Sequence, residues 1–300
     1  MESATNVRIG TAGWSYKDWE GIVYPAGLKR EQHPAEYLAR YFDVIEINTS
    51  FYGPIKPELA KLWCRKVVGV NPEFMFTAKL YKAFTHAPGG AVQPTSAATL
   101  APTENDEREV KQGLEPLANA GKLGALLMQF PISFKNTPPN RDYLAELLRR
   151  FQEYPRVIEV RHASWNNEEI LGYFAEKGVS FCNIDQPLLG RAIAPTMHAT
   201  APIGYVRLHG RNYDQWFEHE KPQDRYNYLY SEGELAKCKP RIEGIARKTD
   251  VTFVIANNHF EGKAAVNGLQ LKHMISGGKV RAPQTLVERY TELSEICEIA

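Results

Sequence analysis

The sequence predicts an α/β fold, a single (β/α)8 barrel, and three observations support that fold class. Eight short apolar runs alternate with segments of helical character, several runs are almost continuously apolar, and no linker rich in Ser, Gly or Pro divides the chain. Continuous apolar runs are typical of parallel strands that are buried on both faces. An undivided series of strand–helix units favours a closed barrel, with a doubly wound open sheet as the second choice. The 300 residues suit one large domain over residues 1–300.

The predicted strands are runs of β-branched and apolar residues such as GALLMQF and VTFVIA. In chain order they are Val7 to Gly13, Val44 to Phe51, Phe74 to Leu80, Leu123 to Phe130, Arg156 to His162, Val179 to Asp185, Ile203 to Gly210, and Thr252 to Asn258.

Segments with helical character lie between most of these strands. They are Pro34 to Tyr41, Glu58 to Cys64, Asp106 to Ala120, Arg141 to Gln152, Asn167 to Lys177, Glu232 to Arg247, and Ala264 to Ile275. A last helix is predicted over Gln284 to Ile299, and we expect it to pack on the barrel exterior.

Three connections after strands are longer than usual: Tyr81 to Asn105, Gln186 to Pro202, and Arg211 to Ser231. In a barrel, such connections lie on the rim at the carboxyl ends of the strands, where active sites are built. Each is therefore a candidate lid or binding loop, although the first is equally consistent with a plain insertion.

The composition argues against several classes of function. Lysine and arginine number 36 against 35 acidic residues, so no global positive field attracts nucleic acid or a membrane, and any anion site must be local. The first residues lack a secretion signal and no apolar run approaches the ~18 residues of a membrane span, which predicts a cytoplasmic protein without a membrane partner. Four cysteines without a CxxC pair and the absence of GxGxxG and P-loop motifs predict no zinc, nucleotide or other cofactor.

Polar residues spaced two apart recur at the downstream ends of the predicted strands. A spacing of two places side chains on one face of a strand, so we expect the set to converge inside the barrel rim. Of the adjacent residues Asn257 and Asn258, only one can face inward. The residues are Glu46 and Asn48, Thr77 and Lys79, Gln129, Glu159 and Arg161, Asn183 and Asp185, Arg207 and His209, and Asn257 and Asn258.

Two interpretations of this set remain open. Charged groups inside a barrel must neutralise one another or a ligand, so the set is either a structural ion-pair network, such as Glu159 with Arg207 and Glu46 with Lys79, or a binding site. The position at the rim favours a site. Lys79, Arg161, Arg207 and the nearby Arg211 would bind a phosphate or carboxylate, because arginine matches such oxyanions bidentately. The mixture of cations with few His and carboxylate ligands argues against a metal site.

Four side chains are the candidates for proton transfer: Glu46, Glu159, Asp185 and His209. Histidine titrates near neutral pH, and His86 after the third strand is a weaker candidate of the same kind. Glu46 and Glu159 could instead be the paired carboxylates of a glycosidase.

Aromatic residues follow several strands and could stack on sugars or bases, although such rings often only pack loops together. The candidates are Trp14, Tyr16, Tyr52, Trp165 and Tyr228.

Ordered motifs extend this interpretation along most of the chain. GTAGWSYKDWEGIVYP, VIEINTSFYG, FTAKLYKAFTH, LLMQFP, VIEVRHASW, YVRLHGR, RYNYLYS and ANNHFEGKAAVN resemble the YecE-like family of uncharacterised TIM-barrel proteins, the domain of unknown function seventy-two. The resemblance runs from Arg8 to about Ile275. It implies a barrel and a shared rim cluster, and it gives no reaction. The architecture is also similar to endonuclease-IV-type barrels, which suggests phosphoester or nucleic-acid substrates by analogy alone.

The residues implied by the resemblance to form that cluster are Trp14, Glu46, Asn48, Tyr52, Lys79, His86, Gln129, Glu159, Arg161, Trp165, Asp185, Arg207, His209, Arg211, Tyr228, Asn257 and Asn258. The sequence thus predicts an enzyme, a hydrolase or another phosphoester-processing protein, that acts on an anionic, phosphate-bearing substrate. The alternatives are a non-catalytic protein that binds nucleic acid or another anionic ligand, and a glycosidase. The oligomeric state is left open.

Overall fold

A computed structural model describes residues 6–28, 32–86, 102–213 and 224–299. Within them eight parallel strands close into a barrel in which each strand pairs with its neighbours in the sequence and β8 pairs with β1. The strands are β1 (Val7–Ala12), β2 (Val44–Ile47), β3 (Met75–Lys79), β4 (Leu123–Gln129), β5 (Arg156–Glu159), β6 (Ser180–Asp185), β7 (Ile203–Leu208) and β8 (Val251–Ala256). The predicted fold class and all eight strands are confirmed.

Helices surround the barrel and most begin at the residue types that the sequence supplies as caps. Thr103 and Ser231 form capping boxes with Asp106 and Glu234 three residues later, so they satisfy backbone donors that the first turn leaves free. The helices are α1 (Pro34–Leu38), α2 (Pro57–Val68), α3 (Glu104–Asn119), α4 (Pro138–Arg150), α5 (Glu168–Glu176), α6 (Glu232–Ala246), α7 (Lys263–Ser276) and α8 (Gln284–Arg289). No helix lies between β6 and β7 in this described stretch, where residues 186–202 run as an extended connection.

The barrel interior is apolar in its lower part. Val44, Leu127, Val157, Tyr205 and Phe253 belong to one buried cluster of inward side chains. A second and larger buried cluster lies between the strands and the helices. The apolar interior forms a floor, so that polar inward side chains are confined to the carboxyl ends of the strands.

Gly13 makes a tight turn possible between β1 and the rim. Its φ of 76° lies in the left-handed region, and a Cβ there would stand 2.7 Å from the Tyr16 hydroxyl oxygen and 3.3 Å from Asn48 Nδ2. Glycine is therefore the residue that fits both the backbone angle and the space.

The C-terminal segment differs from the prediction of one helix over 284–299. The helix α8 ends at Arg289, a 3-10 turn covers Thr291–Glu295, and β10 (Cys297–Ile299) pairs in parallel with β9 (Val280–Ala282). Tyr290 leaves the helical region at φ −122° and ψ 79°, and strand pairing with β9 replaces the remaining helical turns. Leu286 belongs to the same buried cluster as Trp19 and Val23, so it packs this segment on the barrel as expected.

Parts of two long connections, 87–101 and 214–223, lie outside the described residues, and with them the lid predictions made for those loops. No helix within the described ranges is long and apolar enough to cross a membrane.

Candidate functional site at the carboxyl ends of the barrel strands

Polar side chains from six strands or their immediate ends meet above the apolar floor. Strand register brings them to one level, because Glu46 lies beside Thr77 and Gln129 lies beside Glu159 in the parallel ladder. Five of these side chains carry the charge of the site, and we call them the inner cluster. They are Glu46, Lys79, Glu159, Arg161 and Arg207.

Arg207 is the centre of the inner cluster and has no exposed surface. Its Nη2 donates to Glu46 Oε1 at 2.7 Å. Its Nη1 donates to Gln129 Oε1 at 3.1 Å and to Glu159 Oε2. One guanidinium therefore joins two buried carboxylates from β2 and β5, and this arrangement compensates the cost of burying all three charges. Its Nε has no hydrogen-bond partner among the described residues.

Glu159 is held by a second arginine at the rim. Arg161 donates to Glu159 Oε1 from Nε at 3.0 Å and from Nη2 at 2.7 Å. Burial alone would raise the pKa of Glu159, but the charges of Arg207 and Arg161 outweigh it and hold that pKa well below its usual range. Glu159 is thus ionised at neutral pH and anchors two arginines.

Glu46 has both carboxylate oxygens engaged as well. Oε1 accepts from Arg207, and Oε2 accepts from the Tyr205 hydroxyl at 2.9 Å. That hydroxyl in turn lies 2.8 Å from Thr77 Oγ1. The predicted alternative of ion pairs is therefore realised for Glu159 with Arg207, whereas Glu46 pairs with Arg207 instead of Lys79.

His209 is fully buried beneath the rim, and its orientation follows from Asn257. The Asn257 amide nitrogen lies 2.9 Å from Nδ1 and can only donate, so Nδ1 accepts and Nε2 carries the proton, 3.4 Å from Glu159 Oε1. Burial lowers the pKa of His209 to about 3 in spite of the nearby Glu159. The side chain is a neutral donor within the protein and has no exposed surface with which to reach a substrate.

Lys79 is the cation of the inner cluster that lacks a carboxylate partner among the described residues. Its Nζ lies 4.4 Å from the centre of the Phe51 ring, on which the His86 ring also packs edge-on at 5.0 Å. Burial, followed by the charge of Arg207, lowers the pKa of Lys79 to about 8. The side chain is half-buried, so it keeps access to solvent.

A cavity of about 260 Å³ opens beside these groups. Arg161, whose side chain is 17% exposed, forms part of its wall. The other polar or aromatic lining residues are His86, Gln129, Gln186, Arg225 and Tyr226. Larger surface grooves lie elsewhere, between α3 and α4, but their walls consist of exposed ion pairs such as Lys111 with Glu153. The barrel cavity is where buried charge and open space coincide.

Asp185 was predicted as a catalytic residue inside the barrel, and that orientation is wrong. The register pairs inward Arg207 with Ile184, which turns Asn183 and Asp185 to the outer face of β6. There Asp185 accepts two bonds of 2.7 Å from Arg211 and one of 3.1 Å from Arg241 on α6. Arg211 also bonds to Glu234 at 3.2 Å. These four residues, Asp185, Arg211, Glu234 and Arg241, form what we call the outer cluster.

Two other predicted substrate-binding residues support the outer cluster instead of a cavity. Tyr228 donates to Glu234 Oε1 at 2.6 Å. Asn258 donates to Tyr228 O and to Asn267 Oδ1, both at 2.8 Å, while Asn257 faces inward. The prediction for Arg211 as an anion ligand is likewise not met, since its guanidinium is held by Asp185 and Glu234.

Trp14 and Trp165 are packing residues, contrary to the prediction for both. Trp14 is 7% exposed and packs edge-on against Trp63 and Phe76 between barrel and helices. Trp165 is fully buried, stacks on Phe134 and donates to its carbonyl oxygen at 2.7 Å. Rings packed in the core in this way leave no face for a ligand, and the N–H of Trp165 is already satisfied.

Tyr16, Asn48 and Tyr52 lie on the rim as predicted. Asn48 Nδ2 donates to the Tyr16 hydroxyl at 3.2 Å, and the Tyr16 ring stacks on His259 at 4.2 Å. Tyr52 is 71% exposed, and Lys82 Nζ lies 5.5 Å from its ring centre.

Four residues of the site were not predicted: Tyr205, Gln186, Arg225 and Tyr226. Tyr205 is found by the same period of two that identified Arg207 and His209, extended one step upstream. Gln186 continues the inward period of Cys182 and Ile184. Arg225 and Tyr226 lie in a short 3-10 turn after residues 214–223 and carry no signal in the sequence that would place them at the cavity.

No group of three His, Cys, Asp or Glu side chains in the described ranges is arranged to hold a metal ion. The mixed ion pairs of the inner cluster explain this, because each carboxylate already faces an arginine.

Comparison with known proteins identifies the family. The family model described as "Protein of unknown function DUF72" matches residues 8–289 of this chain. The chain belongs to the DUF72 family. The family resemblance inferred from the ordered motifs is confirmed.

Relatives of this DUF72 protein align with it over most of their length. A DUF72 family protein from Thermotoga maritima is 34% identical, with 90% of this chain and 99% of that chain aligned at a TM-score of 0.77. A DUF72 family protein from Enterococcus faecalis is 26% identical over 90% and 95% of the two chains, at a TM-score of 0.75. The UPF0759 protein YunF of Bacillus subtilis is 26% identical over 90% of this chain and 94% of its own length.

Proposed function

We propose that this DUF72 protein is an enzyme that binds a small anionic, phosphate-bearing substrate in the barrel cavity. One observation carries the proposal: the inner cluster has three cations, Lys79, Arg161 and Arg207, against two carboxylates. One positive charge therefore remains in excess beside an open cavity of about 260 Å³. A buried excess charge is costly and is relieved by a ligand of opposite sign.

Arg161 is the group that would contact the anion. Its Nε and Nη2 are used on Glu159, whereas Nη1 makes no hydrogen bond within the described residues and the side chain forms part of the cavity wall. An arginine that is oriented by a carboxylate is pre-organised to bind an oxyanion. Lys79 would add positive charge without a bond to a protein carboxylate.

Proton transfer would fall to His86, the histidine that lines the cavity. Its Nδ1 lies 2.9 Å from Thr85 Oγ1. Burial and the charges of Arg161 and Lys79 lower the pKa of His86 to about 4, so the imidazole is neutral at pH 7 and can accept a proton. Glu46, Glu159 and His209, the candidates of the sequence analysis, all face protein groups.

The same contacts argue against a glycosidase. Such an enzyme needs two carboxyl groups that face the scissile bond. Here Glu46 and Glu159 both face the guanidinium of Arg207, and neither has exposed surface.

Binding of inorganic phosphate, measured by isothermal titration calorimetry, tests the anion site. We expect Arg161→Gln to weaken phosphate binding about tenfold or more, as expected for loss of a charged hydrogen bond. The matched control is Arg149→Gln, which removes an exposed arginine on α4 and should leave the affinity unchanged. Equal affinities for the parent protein and Arg161→Gln would overturn the proposal.

A panel of small phosphorylated substrates, including phosphoesters, tests catalysis. We expect turnover of at least one compound, and a fall in kcat of about 100-fold in His86→Gln because a general acid–base group contributes at that level. Phosphate binding without turnover of any compound would reduce the proposal to an anion-binding protein.

A second candidate, a protein that binds nucleic acid, is favoured by exposed Tyr52 with Lys82 beside its ring. Exposed rings next to cations stack on bases. It predicts oligonucleotide binding that weakens steeply with salt and is lost in Tyr52→Ala. An oligonucleotide that does not bind at low salt excludes it.

A further inference from the structure

Lys79 combines three features that the binding of an anion does not require. It extends from the end of β3 on the same face as Thr77, whose hydroxyl meets Tyr205 inside the barrel. It lies against an aromatic ring in place of a carboxylate. It also shares that ring, Phe51, with His86, which lines the cavity. An anchor for a phosphate would be better served by a second arginine at this position.

The surroundings of Lys79 raise its share of neutral amine above that of an exposed lysine, while the ammonium form still predominates at pH 7. The charged groups facing it are Arg207 from β7, Glu159 from β5, Arg161 just after β5, and Glu46 from β2. Both carboxylates are bonded to arginines, so their attraction for the ammonium form only partly offsets the effect of burial and of the arginine charges. Lysine becomes a nucleophile when it is desolvated or placed beside other cations, and both conditions hold here.

We propose that Lys79 Nζ is a nucleophile that forms an imine with the carbonyl carbon of an anion-bearing aldehyde or ketone. This inference rests on the proposed function, because Arg161 would hold the anionic group of the same substrate. It names the substrate class as a phosphorylated or similarly charged carbonyl compound.

The step balances without an oxidant or reductant. The lone pair of the neutral amine attacks the carbonyl carbon, and one N–H proton moves to the oxygen to give a carbinolamine. The C–O bond then breaks, the second N–H proton leaves with the oxygen, and the products are the imine and one water molecule. His86, neutral and on the cavity wall, can carry the protons between nitrogen and oxygen. Protonation of the imine gives a cation that the Phe51 ring stabilises.

The probe for this inference is pyridoxal 5′-phosphate, an aldehyde that carries a phosphate, followed by borohydride, which reduces an imine to a stable secondary amine. Peptide mass spectrometry then locates the modified lysine. With a pKa of about 8 against the ordinary 10.5, Lys79 has about 300 times more neutral amine at pH 7 than an exposed lysine. We expect it to be labelled at least about tenfold faster than Lys82 or Lys177, with a rate that rises between pH 7 and 9.

Variants and competitors separate this inference from the proposed function. Lys79→Arg should abolish the fast label, and the matched control Lys177→Arg, at the exposed residue that follows α5, should keep it. Excess inorganic phosphate should slow the labelling of Lys79, and pyridoxal without phosphate should label it more slowly. Labelling of Lys79 no faster than that of Lys82 and Lys177 would overturn the inference, while phosphate binding that depends on Arg161 would leave the proposed function standing. Fast labelling that phosphate does not slow would support the nucleophile and contradict the anion site.

Discussion

The inner and outer clusters are built from the same kinds of charged residue, yet they differ in charge balance and in access. In the outer cluster two carboxylates, Asp185 and Glu234, face two arginines, and the charges cancel. In the inner cluster two carboxylates face three cations, one of which has an aromatic neighbour instead of an anion.

This difference separates an ion-pair network that holds the fold together from one that is prepared for a ligand. The outer cluster links β6, the residues after β7 and α6, and it leaves no charge over. The inner cluster opens on a cavity and keeps a positive charge. A buried network that is complete in itself needs no partner, whereas an incomplete one is a candidate site.

The largest effect is expected from Glu159→Gln, which breaks the inner cluster. The substitution keeps the shape of the side chain but leaves Arg161 and Arg207 without their shared carboxylate. We expect the free energy of unfolding, measured with urea, to fall by about 3–5 kcal/mol, because an uncompensated buried charge is costly.

The matched control for that variant is Glu146→Gln, at an exposed pair with Arg149 on α4. It should leave the free energy of unfolding almost unchanged, because exposed ion pairs contribute little to stability. If Glu159→Gln costs no more than the control, the inner cluster does not carry buried charge as described.

The two clusters also show how far the sequence predicts the site. The period of two finds Glu46, Lys79, Glu159 and Arg207 because their strands end with alternating polar residues above an apolar interior. The same period in SFCNID permits either face of β6, and the small Cys182 and apolar Ile184 pack inward against the barrel core. The choice of face depends on register with β7, a contact between distant residues that no local pattern determines.

The ends of the strands are a second feature that the sequence predicts incompletely. Predicted strands ran to Phe51 and His162, but β2 ends at Ile47 and β5 at Glu159, where the chain turns into 3-10 helices. These turns place Phe51 beside Lys79, so part of the site arises from backbone geometry that propensity alone does not specify.

An intermediate effect is expected from Asp185→Asn, which removes one carboxylate charge from the outer cluster. Arg211 and Arg241 keep 24% and 27% of their side chains exposed, so water compensates part of the lost charge. We expect the free energy of unfolding to fall by about 2–3 kcal/mol and phosphate affinity to stay unchanged, because Asp185 faces away from the cavity. A loss of phosphate binding at unchanged stability would place Asp185 in the site and remove the distinction between the clusters.

The smallest and most diagnostic effect is expected from Lys79→Met, which removes the excess charge of the inner cluster. The pKa of Lys79 in the folded protein, about 8, lies below the ordinary value of 10.5, so the unfolded chain binds the proton more tightly and the charged lysine destabilises the fold below pH 8. We expect the variant to be more stable than the parent by about 1–2 kcal/mol at pH 7, after allowance for partial exposure and the lost contact with Phe51. Between pH 8 and 10.5 the parent regains stability as Lys79 loses its proton, and the difference measured by urea unfolding should shrink. If Lys79→Met is instead less stable at pH 7, Lys79 is a structural cation and the excess charge that distinguishes the inner cluster from the outer one is not a cost to the fold.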